Sequence, residues 1–193
     1  MPLRITFELG PSDLKHFQTI MREARAAAKN LSAEEIISAA NELLAEVRSV
    51  KTPDFISERL MKLEVMVQMI QDEEWNLPAT EISRILNALA YFSEPEDLIP
   101  DHIPGLGFLD DAIMVELVVR ELRHEIEAYQ DFCKYRATEE TRRRRLGKAD
   151  HVSREEWLKH RRISLQQRMR RRRRRDRDRS RRSGRGRSPF SLL

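Results

Sequence analysis

Acidic side chains concentrate in one short stretch, residues 91–111, which reads YFSEPEDLIPDHIPGLGFLDD. Carboxylate oxygens are the ligands that hard cations such as Mg²⁺ and Ca²⁺ prefer, so this stretch has the chemistry of a cation site. The spacing of the acids matches no metal-binding loop, however, and turns and helix termini account for each of them. We therefore predict structural roles, without a metal or a cofactor, for Asp97, Asp101, Asp110 and Asp111.

Other residue types that carry catalysis are present, but not at catalytic spacings. The five histidines are scattered and show no paired ligand spacing. Gly105-Leu-Gly107 lacks the third glycine of a dinucleotide loop, because position 110 is Asp. Cys133, the only cysteine, falls on an apolar helical stripe, which favours packing over reactivity. The sequence predicts that the protein is not an enzyme, and no small-molecule substrate is evident.

The second stretch whose composition indicates a function is the arginine-rich tail. Residues 168–187 contain 13 arginines and only two aspartates. Guanidinium groups match phosphate oxygens, and counterion release gives affinity for a polyanion without reading bases. No aromatic residue is interleaved, so neither base stacking nor sequence specificity is expected. The predicted polyanion-binding residues are Arg168, Arg170, Arg171, Arg172, Arg173, Arg174, Arg175, Arg177, Arg179, Arg181 and Arg182.

The charge of the chain is unevenly distributed. Residues 1–137 contain 14 Lys/Arg and 25 Asp/Glu, a formal charge of −11, whereas residues 138–193 contain 22 and 7, a charge of +15.

The favoured interpretation is an interaction or scaffold protein whose tail binds nucleic acid or another polyanion non-specifically. One alternative is a peripheral membrane protein, whose tail meets anionic lipid while Ile99, Ile103, Leu106 and Phe108 enter the headgroup region. The other is a tail that folds back on the acidic body.

The same acidic stretch contains the helix-starting and helix-breaking residues typical of a helix–loop–helix corner. Ser93 and Glu96 form a capping box that starts a helical turn, whereas Pro100 and Pro104 prevent a helix from continuing. Gly107 permits backbone angles closed to other residues. The residues predicted to shape this corner are Ser93, Pro95, Asp97, Pro100, Asp101, Pro104, Gly107, Asp110 and Asp111.

The pattern Ser-x-Pro-x-Asp-Leu-Ile-Pro-Asp-x-Ile-Pro-x-Leu-Gly-x-Leu-Asp-Asp closely resembles the signature of the YkvA-like family, also called the DUF1232 domain. The resemblance runs from Tyr91 to about Val119. It implies no biochemical activity, because none is established for the family. Some members carry membrane-spanning segments, so the resemblance makes membranes relevant.

Apolar residues recur at helical spacing through most of the chain, which predicts an all-α protein. We expect a bundle of about five core helices over residues 12–137, with the corner (about 91–119) at its centre. Helices are predicted to begin near Ser12, at the Ser32–Glu35 capping box, at Thr52-Pro53 and after Asn76. The last core helix is predicted to run without interruption from about Phe108 to Arg136, with Glu125 on its solvent-facing side.

The two ends of the chain have different compositions. Residues 1–11 are predicted to form an extended arm, because apolar and polar residues alternate there; alternatively, residues 3–9 pair with a second copy and give a homodimer. Residues 138–167 are predicted to form a basic helical extension, and residues 168–193 a disordered tail, because dense like charges repel.

With no signal peptide, no spanning segment and a single cysteine, the expected location is cytoplasmic, or peripheral at a membrane.

Overall fold

The computed structural model describes residues 8–93, 99, 107–146 and 154–182, and over these residues the regular structure is entirely helical. The predicted all-α class is therefore confirmed. Short 3₁₀ turns at Ala28–Asn30 and Ala90–Ser93 extend the first and fourth helices. The α-helices of the described residues are α1 (Pro11–Ala27), α2 (Ala33–Ser49), α3 (Asp54–Gln71), α4 (Ala79–Leu89), α5 (Leu109–Glu121), α6 (Arg123–Leu146) and α7 (Arg154–Arg182).

The N-termini of α1 and α2 are set by capping hydrogen bonds between residues close together in the sequence. At α2 the Ser32 amide donates to the Glu35 carboxylate (2.7 Å), while the Glu35 amide donates to the Ser32 hydroxyl (3.2 Å). These bonds lower the pKa of Glu35 and complete the capping box predicted from the sequence. At α1 the Gly10 amide donates to Asp13 (2.8 Å), and Pro11 occupies the first helical position, where its missing N–H costs little.

The core is centred on α3, which packs against both α2 and α5. Trp75, in the turn after α3, is fully buried and packs against Tyr129 and Phe132 of α6, with ring centroids 5.8 and 5.1 Å away. Side chains of this size contribute most of the apolar burial that stabilises a helical bundle. The other large, fully buried side chains of α3, α4 and α5 include Ile56, Leu60, Leu63, Met66, Met69, Ile85, Leu89, Met114 and Leu117.

The long last core helix predicted from the sequence is in fact two helices. α5 ends at Glu121 and α6 begins at Arg123, with Leu122 between them at φ −100° and ψ 14°. The apolar spacing passes through this break because Leu122 is itself fully buried, so the pattern contains no sign of it. Residues 12–137 thus contribute to six helices in the described part of the chain, and α6 continues beyond residue 137 to Leu146.

The prediction of disorder is wrong for residues 168–182, which form the second half of α7 and lie against α6. The prediction assumed that the arginines meet only one another, whereas the acidic body supplies carboxylates to them. Residues 183–193 lie outside the described residues, as do residues 1–7 of the predicted arm, including most of the segment considered for dimer pairing.

Several predicted corner residues, Pro95, Asp97, Pro100, Asp101 and Pro104, also lie outside the described residues, together with Ile103 and Leu106. Ser93 ends the 3₁₀ turn after α4, and Gly107 precedes α5. Phe108 holds the left-handed backbone conformation (φ 62°), which is unusual for a bulky residue. Phe108 is only 2% exposed, so we attribute this conformation to packing of the residue in the core.

Asp110 and Asp111 occupy the first turn of α5, as predicted, but both are buried. Oδ2 of Asp110 accepts a hydrogen bond from the backbone amide of Ile99 (3.1 Å). This carboxylate therefore ties the loop before α5 to the helix, in addition to any favourable interaction with the helix N-terminus. In the part of the chain that the structure describes, no group of three or more His, Cys, Asp or Glu residues is arranged to hold a metal ion.

Candidate functional site

The arginine-rich helix α7 is attached to the body by two different kinds of contact. Its N-terminal half is held by apolar side chains: Trp157, Leu158, Leu165 and Met169 are all buried. The Trp157 ring meets Tyr135 of α6 in an edge-to-face arrangement, with centroids 5.5 Å apart. These residues make only a weak apolar stripe in the sequence, yet all four are buried in the folded protein.

Polar contacts reinforce this apolar half. The Gln166 side-chain amide donates to the backbone carbonyl of Trp75 (2.9 Å), at a position where both residues are buried. Arg162 donates to the Glu74 carbonyl (3.2 Å), and Arg154 pairs with Glu74 and Glu140. The turn that follows α3 is therefore covered by α7.

The C-terminal half of α7 is attached by charge, and Arg173 is the central residue. Its Nη1 donates to Glu81 of α4 and to Glu125 of α6, both at 2.6 Å, and its Nη2 donates to the second oxygen of Glu81 (2.8 Å). Glu125 is 0% exposed and Glu81 is 5% exposed. The hydrogen bond from Arg173 lowers the pKa of Glu81 despite burial, and the bond to Glu81 raises the pKa of Arg173. Both groups therefore remain charged.

Further ion pairs extend along both edges of the docked face. Arg170 lies 3.4 Å from Glu81, Arg172 lies 3.0 Å from Glu127, and Arg168 pairs with Asp131. In one place the charges are reversed, with the acid on α7 and the basic residues on α6: Asp176 pairs with His124 (2.8 Å) and with Arg123. Burial raises the pKa of Asp176, but the hydrogen bonds from His124 and Arg123 outweigh it and lower the pKa. Four of the eleven predicted polyanion-binding arginines are thus paired with acids of the protein itself.

The opposite side of α7 carries a set of arginines that we call the outward arginine face: Arg171, Arg174, Arg175, Arg181 and Arg182. Arg174 and Arg175 follow Arg171 by three and four positions, and Arg181 and Arg182 follow them by seven, so the five arginines lie on one side of the helix together with Asp178, and all five are exposed. None pairs with a carboxylate among the described residues, and neither do Arg177 and Arg179 on its flanks. The outward arginine face extends for about 16 Å along the helix axis.

The sequence identifies these arginines but not their division into two faces. The acids that divide them are chiefly Glu81 of α4 and Glu125 of α6. The expectation that Glu125 faces solvent is wrong, because α7 covers it and Arg173 neutralises it. The signal that points to such pairing is the opposition of −11 and +15 between the two parts of the chain. The alternative in which the tail folds back on the body anticipates this arrangement.

Comparison with known proteins places one segment of this helical structure in a family. Residues 82–117 match the family described as "Protein of unknown function (DUF1232)". The matched segment begins within α4, passes through the corner and ends within α5. The resemblance predicted from the sequence is confirmed, because residues 82–117 are similar to the DUF1232 family.

A curated relative shares part of this region. The chain is 34% identical over 67 residues to the protein named "Uncharacterized membrane protein YkvA" from Bacillus subtilis (strain 168). The match covers 33% of this chain and 63% of the relative, so the chain spans less than two thirds of that protein's length. No solved structure matches the chain. Within the described residues, no helix combines the length and apolar character needed to cross a membrane.

Proposed function

We propose that this protein is a non-catalytic module that binds the surface of an anionic membrane peripherally, on the cytoplasmic side, through the outward arginine face of α7. The observation that supports this proposal is the division of α7. Its inner arginines are neutralised by acids of the body, whereas Arg171, Arg174, Arg175, Arg181 and Arg182 have no carboxylate partner among the described residues.

The geometry suits a surface. Because the five arginines lie on one side of a continuous α-helix over about 16 Å, they can approach a plane together. The helix is already fixed to the body by Arg173 and by its apolar half, so little additional ordering is required on binding. Each cation near an anionic leaflet contributes on the order of 1 kcal/mol at physiological salt.

The sequence alone favours nucleic acid as the partner. Pairing of four arginines within the protein reduces the number left for counterion release from a polyanion. The family relative named as a membrane protein supports the choice of a lipid surface. Nucleic acid remains an outcome that the experiment can detect.

The experiment is flotation of the full chain with vesicles of phosphatidylcholine alone and of phosphatidylcholine mixed with phosphatidylserine. We expect binding only to the anionic vesicles. Replacing Arg171, Arg174 and Arg175 together by Gln should weaken it by about two orders of magnitude, because about 1 kcal/mol is lost for each charge. The matched control replaces Lys15, Lys51 and Lys134 by Gln, which removes three cations elsewhere on the protein.

Little effect is expected from the lysine triple. An equal loss in both triples would show that net charge, and not the outward arginine face, determines binding. Binding to duplex DNA without binding to either type of vesicle would refute the membrane assignment and return the proposal to nucleic acid.

A further inference from the structure

A surface groove of about 590 Å³ lies between α1 and α4, distinct from the outward arginine face. One wall is formed by Arg22 and Arg25 of α1 and by Lys29 of the 3₁₀ turn that follows it. Because these residues are three and four positions apart, they lie on the same side of the chain. A volume of this size accommodates a phosphorylated sugar or a lipid headgroup.

The opposite wall comes from one face of α4. Thr80, Ser83 and Arg84 line the groove at helical spacing, so two hydroxyl groups and a guanidinium point toward the cations of α1. Glu121, at the end of α5, is the single carboxylate among the lining residues. Four cations therefore face one acid, within a part of the chain (residues 1–137) whose formal charge is −11.

Two of the four cations are held in place by the protein. Arg25 donates through Nε to the Asn87 carbonyl (2.9 Å) and through Nη2 to Glu121 (2.7 Å). Arg84 donates to the Glu121 carbonyl (3.3 Å) and lies 3.1 Å from the buried carboxylate of Glu125. Fixed guanidiniums with remaining N–H groups bind an oxyanion with little loss of side-chain entropy.

The other two cations have no such partner. Arg22 is exposed and donates to the Thr19 hydroxyl (3.4 Å), and Lys29 is exposed as well. Neither forms an ion pair in the part of the chain that the structure describes. Their charge is available to a ligand, and the nearby hydroxyls of Thr80 and Ser83 can donate to additional oxygens.

From this arrangement we infer that the groove binds a phosphate monoester. Such a group carries close to two negative charges at neutral pH and three terminal oxygens, which matches two oriented guanidiniums, two free cations and two hydroxyls. The shared chemistry fits two sources, a phosphorylated lipid headgroup and a soluble phosphate ester. The inference does not depend on the proposed function, because α7 contributes no residue to the groove.

The site is tested by titration calorimetry of the full chain with inositol 1,4-bisphosphate, which is a phosphorylated headgroup without acyl chains, and with glucose 6-phosphate. We expect at least one of the two to bind. Replacing Arg22 and Lys29 by Glu should weaken that binding by about 100-fold, about tenfold for each lost charge-assisted hydrogen bond. The matched control, Lys51→Glu with Lys134→Glu, makes the same change in net charge on exposed residues that do not line the groove.

Vesicles distinguish the two sources. If the ligand is a lipid headgroup, vesicles with phosphatidylinositol 4-phosphate should bind more tightly than phosphatidylserine vesicles of equal charge, and the Arg22/Lys29 variant should lose this preference. If glucose 6-phosphate binds without any vesicle preference, the ligand is a soluble ester. Binding of neither probe, or equal weakening by the control variant, would overturn the inference.

The two proposals can be tested independently, because each variant is expected to affect one kind of binding and not the other. The Arg171/Arg174/Arg175 triple should keep its affinity for inositol 1,4-bisphosphate or glucose 6-phosphate even where it no longer binds phosphatidylserine vesicles. Conversely, the Arg22/Lys29 variant should keep most of its phosphatidylserine binding.

Discussion

Replacing Arg173 by Gln provides the sharpest test of how α7 is attached. The change removes the guanidinium that donates to both Glu81 and Glu125, which lie on different helices and are almost entirely buried. Removing one partner of a buried ion pair costs about 3–5 kcal/mol, because a charge is left buried without compensation. Here Arg170 lies 3.4 Å from Glu81 and Arg84 lies 3.1 Å from Glu125, so part of that compensation persists. We therefore expect a loss of about 2–3 kcal/mol in the free energy of unfolding at pH 7.

The matched control is Arg174→Gln, one residue further along the same helix. Arg174 belongs to the outward arginine face and has no carboxylate partner among the described residues. Its replacement has the same effect on helix propensity and net charge, but it should change the free energy of unfolding by less than about 0.5 kcal/mol. Urea denaturation of both variants and the native chain measures the difference. Hydrogen exchange should show loss of protection in the C-terminal half of α7 for Arg173→Gln alone.

The pH dependence follows from the pKa of Glu81, which Arg173 lowers below the usual 4.5. A carboxylate with a lowered pKa in the folded protein contributes stability above its unfolded pKa, and that contribution is lost as pH falls through the folded pKa. The stability difference between the native chain and Arg173→Gln should therefore be complete at pH 7 and shrink in acid. Adding Glu81→Gln to the Arg173→Gln variant should recover part of the lost stability at pH 7. Equal effects of Arg173→Gln and Arg174→Gln, or a difference that does not depend on pH, would refute the reasoning.

Two further predictions concern other contacts. Trp157→Ala removes the largest buried side chain of the apolar half of α7 and should cost about 3–5 kcal/mol in urea denaturation, with α7 becoming accessible to protease; a cost below about 1 kcal/mol would show that charge alone attaches the helix. Asp110→Ala removes the acceptor for the Ile99 amide and should cost about 1–3 kcal/mol, whereas Asp110→Asn, which keeps an acceptor oxygen, should cost less. An Asn variant as unstable as the Ala variant would indicate that the charge of Asp110, and not its hydrogen bond to the loop, is what matters.

Local chemistry makes much of the fold predictable. The all-α class follows from apolar residues at steps of three and four, and the start of α2 follows from the reciprocal bonds of Ser32 and Glu35. Each signal involves residues within one or two turns of one another, so no knowledge of distant partners is needed. The order of Pro, Gly and Asp residues in 91–111 is likewise a local signal, and it is sufficient to identify the family segment.

The break at Leu122 illustrates where such signals end. A buried leucine satisfies the same apolar spacing whether it continues one helix or joins two, so periodicity cannot distinguish the cases. The groove shows a related limit. Lys29 and Arg84 are far apart in the chain, and only the packing of α1 beside α4 brings them to the same cavity.

The sequence by itself determined the composition of α7, its excess of arginine and its attraction to an acidic partner. It could not determine where that partner lies, because Glu81 and Glu125 are 92 and 48 positions from Arg173. Tertiary structure decided which arginines meet these carboxylates and which face outward. Coulombic attraction depends on distance in space, and burial of Glu81 and Glu125 reduces the screening by water, so these two acids convert a repulsive run of arginines into a docked helix.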